Sequence, residues 1–173
     1  AYTQGAHTYD RDGHWASRGE VHEPLLSELL RHPYLEQPPP KSTGREVFGE
    51  ALLEQLHRMF GRFQLPTLAA TFTEFTARSV ADALTRFVLP HYPIRRVIVS
   101  GGGVHNPTLM ARLQAHLPNV RIESSAQYGI DPDFKEALAF AVLADRFLQG
   151  LPATYPHTTG VQQPCLAGKL ALP

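Results

Sequence analysis

The best candidate for a ligand-binding segment is a run of three glycines between a predicted strand and a predicted helix. Gly101, Gly102 and Gly103 follow a β-branched stretch, and Asn106-Pro107 then begins a helix. Glycines let a ligand come close to the backbone, and the first turn of a helix carries free N–H groups and the positive end of its dipole. Such a segment suits a nucleotide. A tight strand-to-helix turn without a ligand accounts for the glycines about equally well.

This segment matches neither of two common phosphate-binding patterns. Asn106 stands where G-x-G-x-x-G requires its last glycine. The pattern G-x-x-x-x-G-K-[ST] is also absent, because Gly168-Lys169 is followed by Leu170. If the glycines bind a nucleotide, they do so without either of these loops.

A second group of candidates lies in Lys41-Ser42-Thr43-Gly44-Arg45-Glu46. The cations Lys41 and Arg45, together with the hydroxyls of Ser42 and Thr43, can bind an anionic group. A helix that begins near residue 47 and uses Ser42 or Thr43 as its N-cap explains the segment nearly as well.

Glu136 is a further candidate because it lies at the entrance of a long apolar stretch. Asp131-Pro132-Asp133 supplies a helix start, and residues 137–144 are eight consecutive apolar residues. A helix that is apolar all round is buried on most sides, so a charge at its entrance needs a partner, water or a ligand. A solvated first turn is the alternative.

Composition excludes several classes of function. The 173 residues contain 16 Lys and Arg against 16 Asp and Glu, and a net charge of zero argues against a nucleic-acid partner. The single Cys excludes a disulfide framework and a Cys-rich zinc site, and the nine His form no metal-binding pattern. No run of about 18 apolar residues is present, so we expect no transmembrane helix and no membrane partner. No signal peptide is recognisable, and we expect a cytoplasmic protein.

The periodicity of apolar residues divides the chain into two parts. Residues 1–93 are predicted to be mainly helical, with helices at 22–32, 47–60 and 67–88, the second ended by Gly61 and the third capped by Thr67. Residues 94–173 are predicted to hold a buried strand at 95–100, a helix at 107–116, a strand at 120–123, a helix from 132 and a possible strand at 166–172. The fold class is therefore α/β, with a sheet that is incomplete beside the usual four to six or so strands.

In this order, the segments resemble the anhydro-N-acetylmuramic acid kinase family over essentially the whole chain. The motifs that carry the resemblance are Tyr9-Asp10-Arg11-Asp12-Gly13, Pro38-Pro39-Pro40-Lys41-Ser42-Thr43-Gly44-Arg45-Glu46, Phe75-Thr76-Ala77-Arg78-Ser79-Val80-Ala81, Ser100-Gly101-Gly102-Gly103-Val104-His105-Asn106-Pro107, Lys135-Glu136-Ala137-Leu138-Ala139-Phe140-Ala141, and Thr159-Gly160 with Gly168.

The resemblance implies two ribonuclease-H-like domains of the actin-type ATPase kind around a cleft. It implies an enzyme that uses ATP, Mg²⁺ and water to convert 1,6-anhydro-N-acetylmuramic acid, an amino sugar, to N-acetylmuramic acid 6-phosphate in bacterial cell-wall recycling. The family is cytoplasmic and commonly homodimeric. The three glycines match the adenosine motif of the superfamily, which contacts adenine and ribose, so the expected cofactor-binding residues are Gly101, Gly102, Gly103 and Asn106. The expected substrate residues are Glu136, Lys41, Ser42, Thr43 and Arg45.

The chain departs from the family chiefly in its length, because family members are about twice as long. The phosphate-binding glycine turn and the Asp-Thr-Gly-Pro-Gly-Asn segment, whose Asp is the general base, are absent from the 173 residues. We therefore expect the C-terminal portion of the second ribonuclease-H-like domain, without the N-terminal domain, with the general base upstream of Ala1 and no activity of its own. The alternatives are another sugar kinase of the superfamily, or a non-catalytic remnant that binds a nucleotide or a muropeptide.

Overall fold

The computed structural model of the protein describes residues 9–170, which form six α-helices and a two-stranded parallel sheet. In chain order the elements are α1 (Glu23–Leu30), α2 (Glu50–Phe60), α3 (Leu65–Phe87), β1 (Arg96–Val99), α4 (Pro107–His116), β2 (Arg121–Ser124), α5 (Lys135–Leu148) and α6 (Pro156–Thr159). Short 3-10 turns lie at Arg11–Gly13, Pro33–Glu36, Gly102–His105, Ser125–Tyr128 and Pro132–Phe134. This is a helix-rich α/β arrangement.

The first three helices pack around one apolar cluster. Its buried members are Leu25, Leu26, Leu29, Leu56, Leu68 and Phe75. Helix α1 begins close to its predicted start because the His22 ring nitrogen accepts a hydrogen bond from the Leu25 N–H at 3.2 Å. The hydroxyl of the buried Thr71 on α3 accepts the His22 N–H at 3.0 Å, which ties the start of α1 to α3.

The second apolar cluster joins the far half of α3 to the α4 and β2 region. Its buried members are Ala77, Ala81, Leu113, Leu117 and Val120. The Gln114 side chain fixes the turn between α4 and β2, because it donates to the carbonyls of Leu117 and Val120 and accepts the Ile122 N–H. Helix α3, 23 residues long, therefore contributes to both clusters and connects the two parts of the chain.

The strands β1 and β2 pair in parallel from Arg96↔Arg121 to Val99↔Ser124, and α4 forms the connection between them. Both strands lie within a residue or two of their predicted positions. The prediction that β1 is buried is wrong. Val97 and Val99 pack against the second cluster, whereas Ile98 on the opposite face is 53% exposed. Within residues 9–170 that face of the strand has no layer over it that buries Ile98.

Helix α5 departs furthest from its prediction. The sequence predicts a helix buried on most sides, and this prediction is wrong, because none of the residues of α5 is buried. Phe140 is 71% exposed and Leu148 is 72% exposed. Its start also differs, since Asp131 accepts the Asp133 N–H at 2.9 Å and so caps the 3-10 turn that precedes the helix.

The ends of two helices in the first half also correct the predictions. Helix α3 begins at Leu65, so Thr67 lies inside its first turn and is not its N-cap. Helix α2 begins at Glu50 rather than residue 47, so neither Ser42 nor Thr43 caps it. The stop at Gly61 is confirmed, because this residue follows α2 with φ of 77°.

The tail after α5 holds α6 and one isolated bridge between Thr154 and Cys165. Residues 166–170 form no strand, and the rest of that predicted strand, 171–172, lies outside the described residues. Among the helices of residues 9–170, none combines the length and the apolar character that a membrane span requires.

Candidate functional site

A cleft of about 780 Å³ lies beside the glycine turn. Three parts of the chain form it: the loop before and within the first 3-10 turn, the glycine turn with the start of α4, and the turn before α5. Its lining residues are Tyr9, Asp10, Arg11, Asp12, Gly102, Gly103, His105, Asn106, Leu109 and Asp133. A smaller hollow of about 400 Å³ between α1 and α2 contains none of the predicted site residues.

The glycine turn leaves β1 through a backbone conformation that favours glycine. Gly101 has φ of 86°, and its N–H donates to the Pro132 carbonyl at 3.1 Å, which joins the end of β1 to the turn before α5. A Cβ placed on Gly101 or Gly102 would meet no atom within 4 Å beyond its chain neighbours. Packing therefore does not require glycine at 102, and its bare backbone faces open space beside the cleft.

Asn106 serves the fold directly, as the N-cap of α4. Its side-chain oxygen accepts the Leu109 N–H at 3.0 Å, which confirms the predicted helix start. Gly13 lies directly against this cap, because a Cβ on Gly13 would collide with the Asn106 oxygen. The cap thus also holds the loop that forms the other wall of the cleft.

That loop contributes three charged side chains to the lining of the cleft, those of Asp10, Arg11 and Asp12. The Asp10 carboxylate closes the loop by accepting the N–H groups of Trp15 at 2.8 Å and Ala16 at 3.0 Å. Asp12 is exposed and has φ of 55°. A hydrogen bond to Tyr9 raises the pKa of the Arg11 guanidinium, with a smaller contribution from the Asp12 carboxylate. Arg11 is therefore a permanent cation beside this carboxylate.

His105 and Asp133, which both line the cleft, are in contact, with 2.9 Å between the imidazole nitrogen and the carboxylate oxygen. It links the glycine turn to the turn before α5. The lining of the cleft then contains three carboxylates, those of Asp10, Asp12 and Asp133, and one guanidinium. This balance favours a ligand part that donates hydrogen bonds over one that carries several negative charges.

The five predicted substrate residues do not line the cleft. Lys41 donates to the carbonyls of Tyr34 at 3.1 Å and Leu35 at 3.2 Å, so it anchors the turn at Pro33–Glu36. Ser42, Thr43 and Arg45 are exposed on the loop before α2, and Glu136 is exposed in the first turn of α5. Their roles toward a substrate stay predictions.

Sequence reasoning missed the wall formed by Tyr9–Asp12. The spacing Asp10-x-Asp12-Gly13 resembles the start of a calcium loop, but the third acidic position and the closing Glu are missing, so the pattern predicts no calcium site. The contact that gives it a place in the cleft joins Gly13 to Asn106, two residues far apart in the chain. No local pattern signals such a contact.

The side chains of the described residues form no ready-made metal centre. Residues 9–170 contain no group of three or more His, Cys, Asp and Glu side chains arranged to hold a metal ion. Mg²⁺ in kinases is commonly held by one or two carboxylates together with the phosphates of the nucleotide. We therefore assign no Mg²⁺ ligand among the described residues.

Comparisons with known proteins agree with one another. The family model described as anhydro-N-acetylmuramic acid kinase matches residues 2–172. A protein of that name from Synechocystis is 45% identical over 175 residues, covering 99% of this chain and 45% of the relative. Its namesake from Thiobacillus denitrificans is 49% identical over 153 residues, covering 88% of the chain and 40% of the relative. Another, from Xanthomonas campestris, is 49% identical over 164 residues, covering 94% of this chain and 42% of the relative.

The chain thus spans less than half the length of these curated relatives. The match nevertheless runs through both apolar clusters, the glycine turn and the cleft, because it extends from residue 2 to residue 172. The chain belongs to the anhydro-N-acetylmuramic acid kinase family.

Proposed function

We propose that this chain is part of an ATP-dependent kinase that acts on 1,6-anhydro-N-acetylmuramic acid. In the proposed reaction water opens the 1,6-anhydro ring while the γ-phosphoryl group of ATP passes to O6. The products are N-acetylmuramic acid 6-phosphate and ADP, and the setting is cell-wall recycling in the bacterial cytoplasm. The observation that carries the proposal is the family match over residues 2–172.

The proposed contribution of this chain is the nucleoside site. The glycines at 101–103 would face adenine and ribose, and Asn106 would hold the start of α4 in place beside them. The open space around Gly101 and Gly102 and the adjoining cleft support this assignment. Mg²⁺ would accompany the triphosphate and neutralise charge during transfer, which is its usual part in phosphoryl transfer.

We also propose that the chain is the C-terminal portion of a ribonuclease-H-like domain. Residues 94–173 would be its nucleotide-binding segment and residues 1–93 a mainly helical segment. The parallel pair β1 and β2 joined through α4 supports the first part, and α1–α3 support the second. The exposed apolar side of α5 is what a helix shows when its covering layer belongs to another part of the polypeptide.

The sugar would lie toward Glu136 and the loop of Lys41, Ser42, Thr43 and Arg45. Four of these five side chains are exposed and available to a ligand held between this chain and the rest of the enzyme. Lys41 would act from its anchored position against Tyr34. The full-length enzyme would be a homodimer.

A chimaera tests the proposal. The matching region of the Synechocystis kinase is replaced by this chain, and the product is followed by mass spectrometry with ATP and 1,6-anhydro-N-acetylmuramic acid. We expect N-acetylmuramic acid 6-phosphate from the chimaera and no turnover from the 173-residue chain alone. A panel of other sugars is the control. A folded, ATP-binding chimaera that phosphorylates a different sugar would overturn the assigned substrate, and one that phosphorylates none would favour a non-catalytic remnant.

A further inference from the structure

The loop Tyr9–Asp12 is held over the glycine turn by packing that the fold itself provides. Gly13 touches the Asn106 cap, and the Asp10 carboxylate is occupied by the N–H groups of Trp15 and Ala16. The loop therefore has a fixed shape, which fixes the position of the side chain that follows Arg11. That side chain is Asp12, which points from a left-handed backbone position on the wall of the cleft.

Asp12 differs from the other two carboxylates of the cleft in having no hydrogen-bond partner among the described residues. Asp10 accepts two backbone N–H groups, and Asp133 contacts His105 at 2.9 Å. Asp12 interacts with Arg11 through charge alone. An ionised carboxylate only accepts hydrogen bonds, so a ligand that satisfies Asp12 must offer donors.

A ribonucleoside offers two adjacent ribose hydroxyl groups as donors, beside the amino group of its base. A carboxylate beside a glycine turn that accepts ribose hydroxyls is a known solution for nucleotide recognition in an unrelated fold. Triphosphate oxygens only accept, and three carboxylates in the lining disfavour them here. Tyr9, which is 65% exposed and also lines the cleft, adds an aromatic surface suited to a base.

We infer that Asp12 accepts hydrogen bonds from the ribose hydroxyls of the bound nucleotide and makes this cleft selective for ribonucleotides. The inference rests on the proposed function, because it takes the glycine turn as the nucleoside site. It adds a residue that determines specificity on the opposite wall of the cleft.

Titration calorimetry with the 173-residue chain tests the inference. The ligands are ATP, 2′-deoxyATP and 3′-deoxyATP, and the variants are Asp12→Asn and Asp12→Gly, both of which tolerate the left-handed backbone. We expect each variant to bind ATP about tenfold more weakly, as the loss of a hydrogen bond to a charged group implies. The preference of the wild-type chain for ATP over at least one deoxynucleotide should also shrink in each variant. Asp82→Asn, on the exposed side of α3, is the matched control and should change neither quantity.

Each other outcome has a definite meaning. If the wild-type chain binds ATP and the two Asp12 variants keep both its affinity and its preference, the inference is wrong and the proposed nucleoside site stands. If the variants lose affinity equally for all three nucleotides, Asp12 does not contact the ribose hydroxyls, and the inference is again wrong. If a wild-type chain with intact circular dichroism binds none of the nucleotides, the proposed nucleoside site fails together with the inference.

Discussion

Replacing Gly13 with Ala tests how the loop over the cleft is held. Gly13 has φ of 66°, which disfavours any residue with a Cβ. A Cβ there would also collide with the Asn106 side-chain oxygen and lie 2.9 Å from its Cγ and 3.2 Å from the Thr108 hydroxyl. Either the loop or the Asn106 side chain must move, so the substitution separates the two walls of the cleft.

Two costs make up the expected loss of stability. The left-handed backbone costs an alanine about 1–2 kcal/mol. Moving Asn106 removes its hydrogen bond to the Leu109 N–H, and losing an N-cap typically costs about 1 kcal/mol. The free energy of unfolding should therefore fall by about 2–3 kcal/mol. Gly129→Ala is the matched control, because Gly129, just after the turn Ser125–Tyr128, has a left-handed backbone with φ of 76° and ψ of 11° but no atom lies within 4 Å of its Cβ position. This substitution should lower the free energy of unfolding only by the cost of the left-handed backbone, about 1–2 kcal/mol.

Denaturant unfolding of both variants measures these losses, followed by circular dichroism and by the fluorescence of Trp15. Trp15 is the single tryptophan of the chain and lies two residues from the substitution. We expect the Gly13→Ala chain to shift the native fluorescence and to lose about 1 kcal/mol more than the Gly129→Ala chain. If the two variants lose the same stability, the contact between Gly13 and the Asn106 cap does not hold the loop, and the argument for a preformed second wall fails.

Three further tests, two of them with a control substitution, check separate parts of the structure. Leu29→Ala should lower the free energy of unfolding by about 2–5 kcal/mol, whereas Leu148→Ala, at a residue 72% exposed, should change it by less than about 0.5 kcal/mol in the same denaturation assay. Glu74→Gln should cost about 1–3 kcal/mol, because this carboxylate is only 15% exposed and meets an arginine and a histidine of α4, while Glu54→Gln in an exposed pair should cost almost nothing. Gly102→Val should leave stability nearly unchanged and weaken ATP binding about tenfold by calorimetry, since its side chain enters open space beside the cleft.

Local signals in the sequence predict most helices and strands. They predict the wrong start for α3, where two candidate start signals lie next to each other. Asn106 with Pro107 fixed the start of α4, because the cap and the proline act within one turn. At α3 the same kind of reasoning chose Thr67 as the cap. The helix instead begins at Leu65, since Pro66 is tolerated in the first turn and does not delay the start.

The sequence predicts one wall of the cleft and not the other, because only one wall is built from residues that are close together in the chain. The glycine wall combines a strand end and a helix start that are neighbours in sequence, so composition and spacing identify it. The opposite wall depends on Gly13 fitting against Asn106, which only the packed structure brings together. Asp12 lies in a motif that carries the family resemblance, but no local pattern assigns it to the cleft, where it is the carboxylate without a hydrogen-bond partner among the described residues.

Helix α5 shows what an apolar pattern does and does not determine. Eight consecutive apolar residues indicate a helix that is buried on most sides, yet Phe140 and its apolar neighbours are exposed within residues 9–170. Ile98 of β1 is exposed as well, on the face of the sheet that points away from α3 and α4. Exposed apolar surface of this kind favours a covering layer, because burial removes it from water. The cleft needs none of that layer, since its walls come from Tyr9–Asp12, the glycine turn and Asp133. The proposed nucleoside site therefore does not depend on what covers α5.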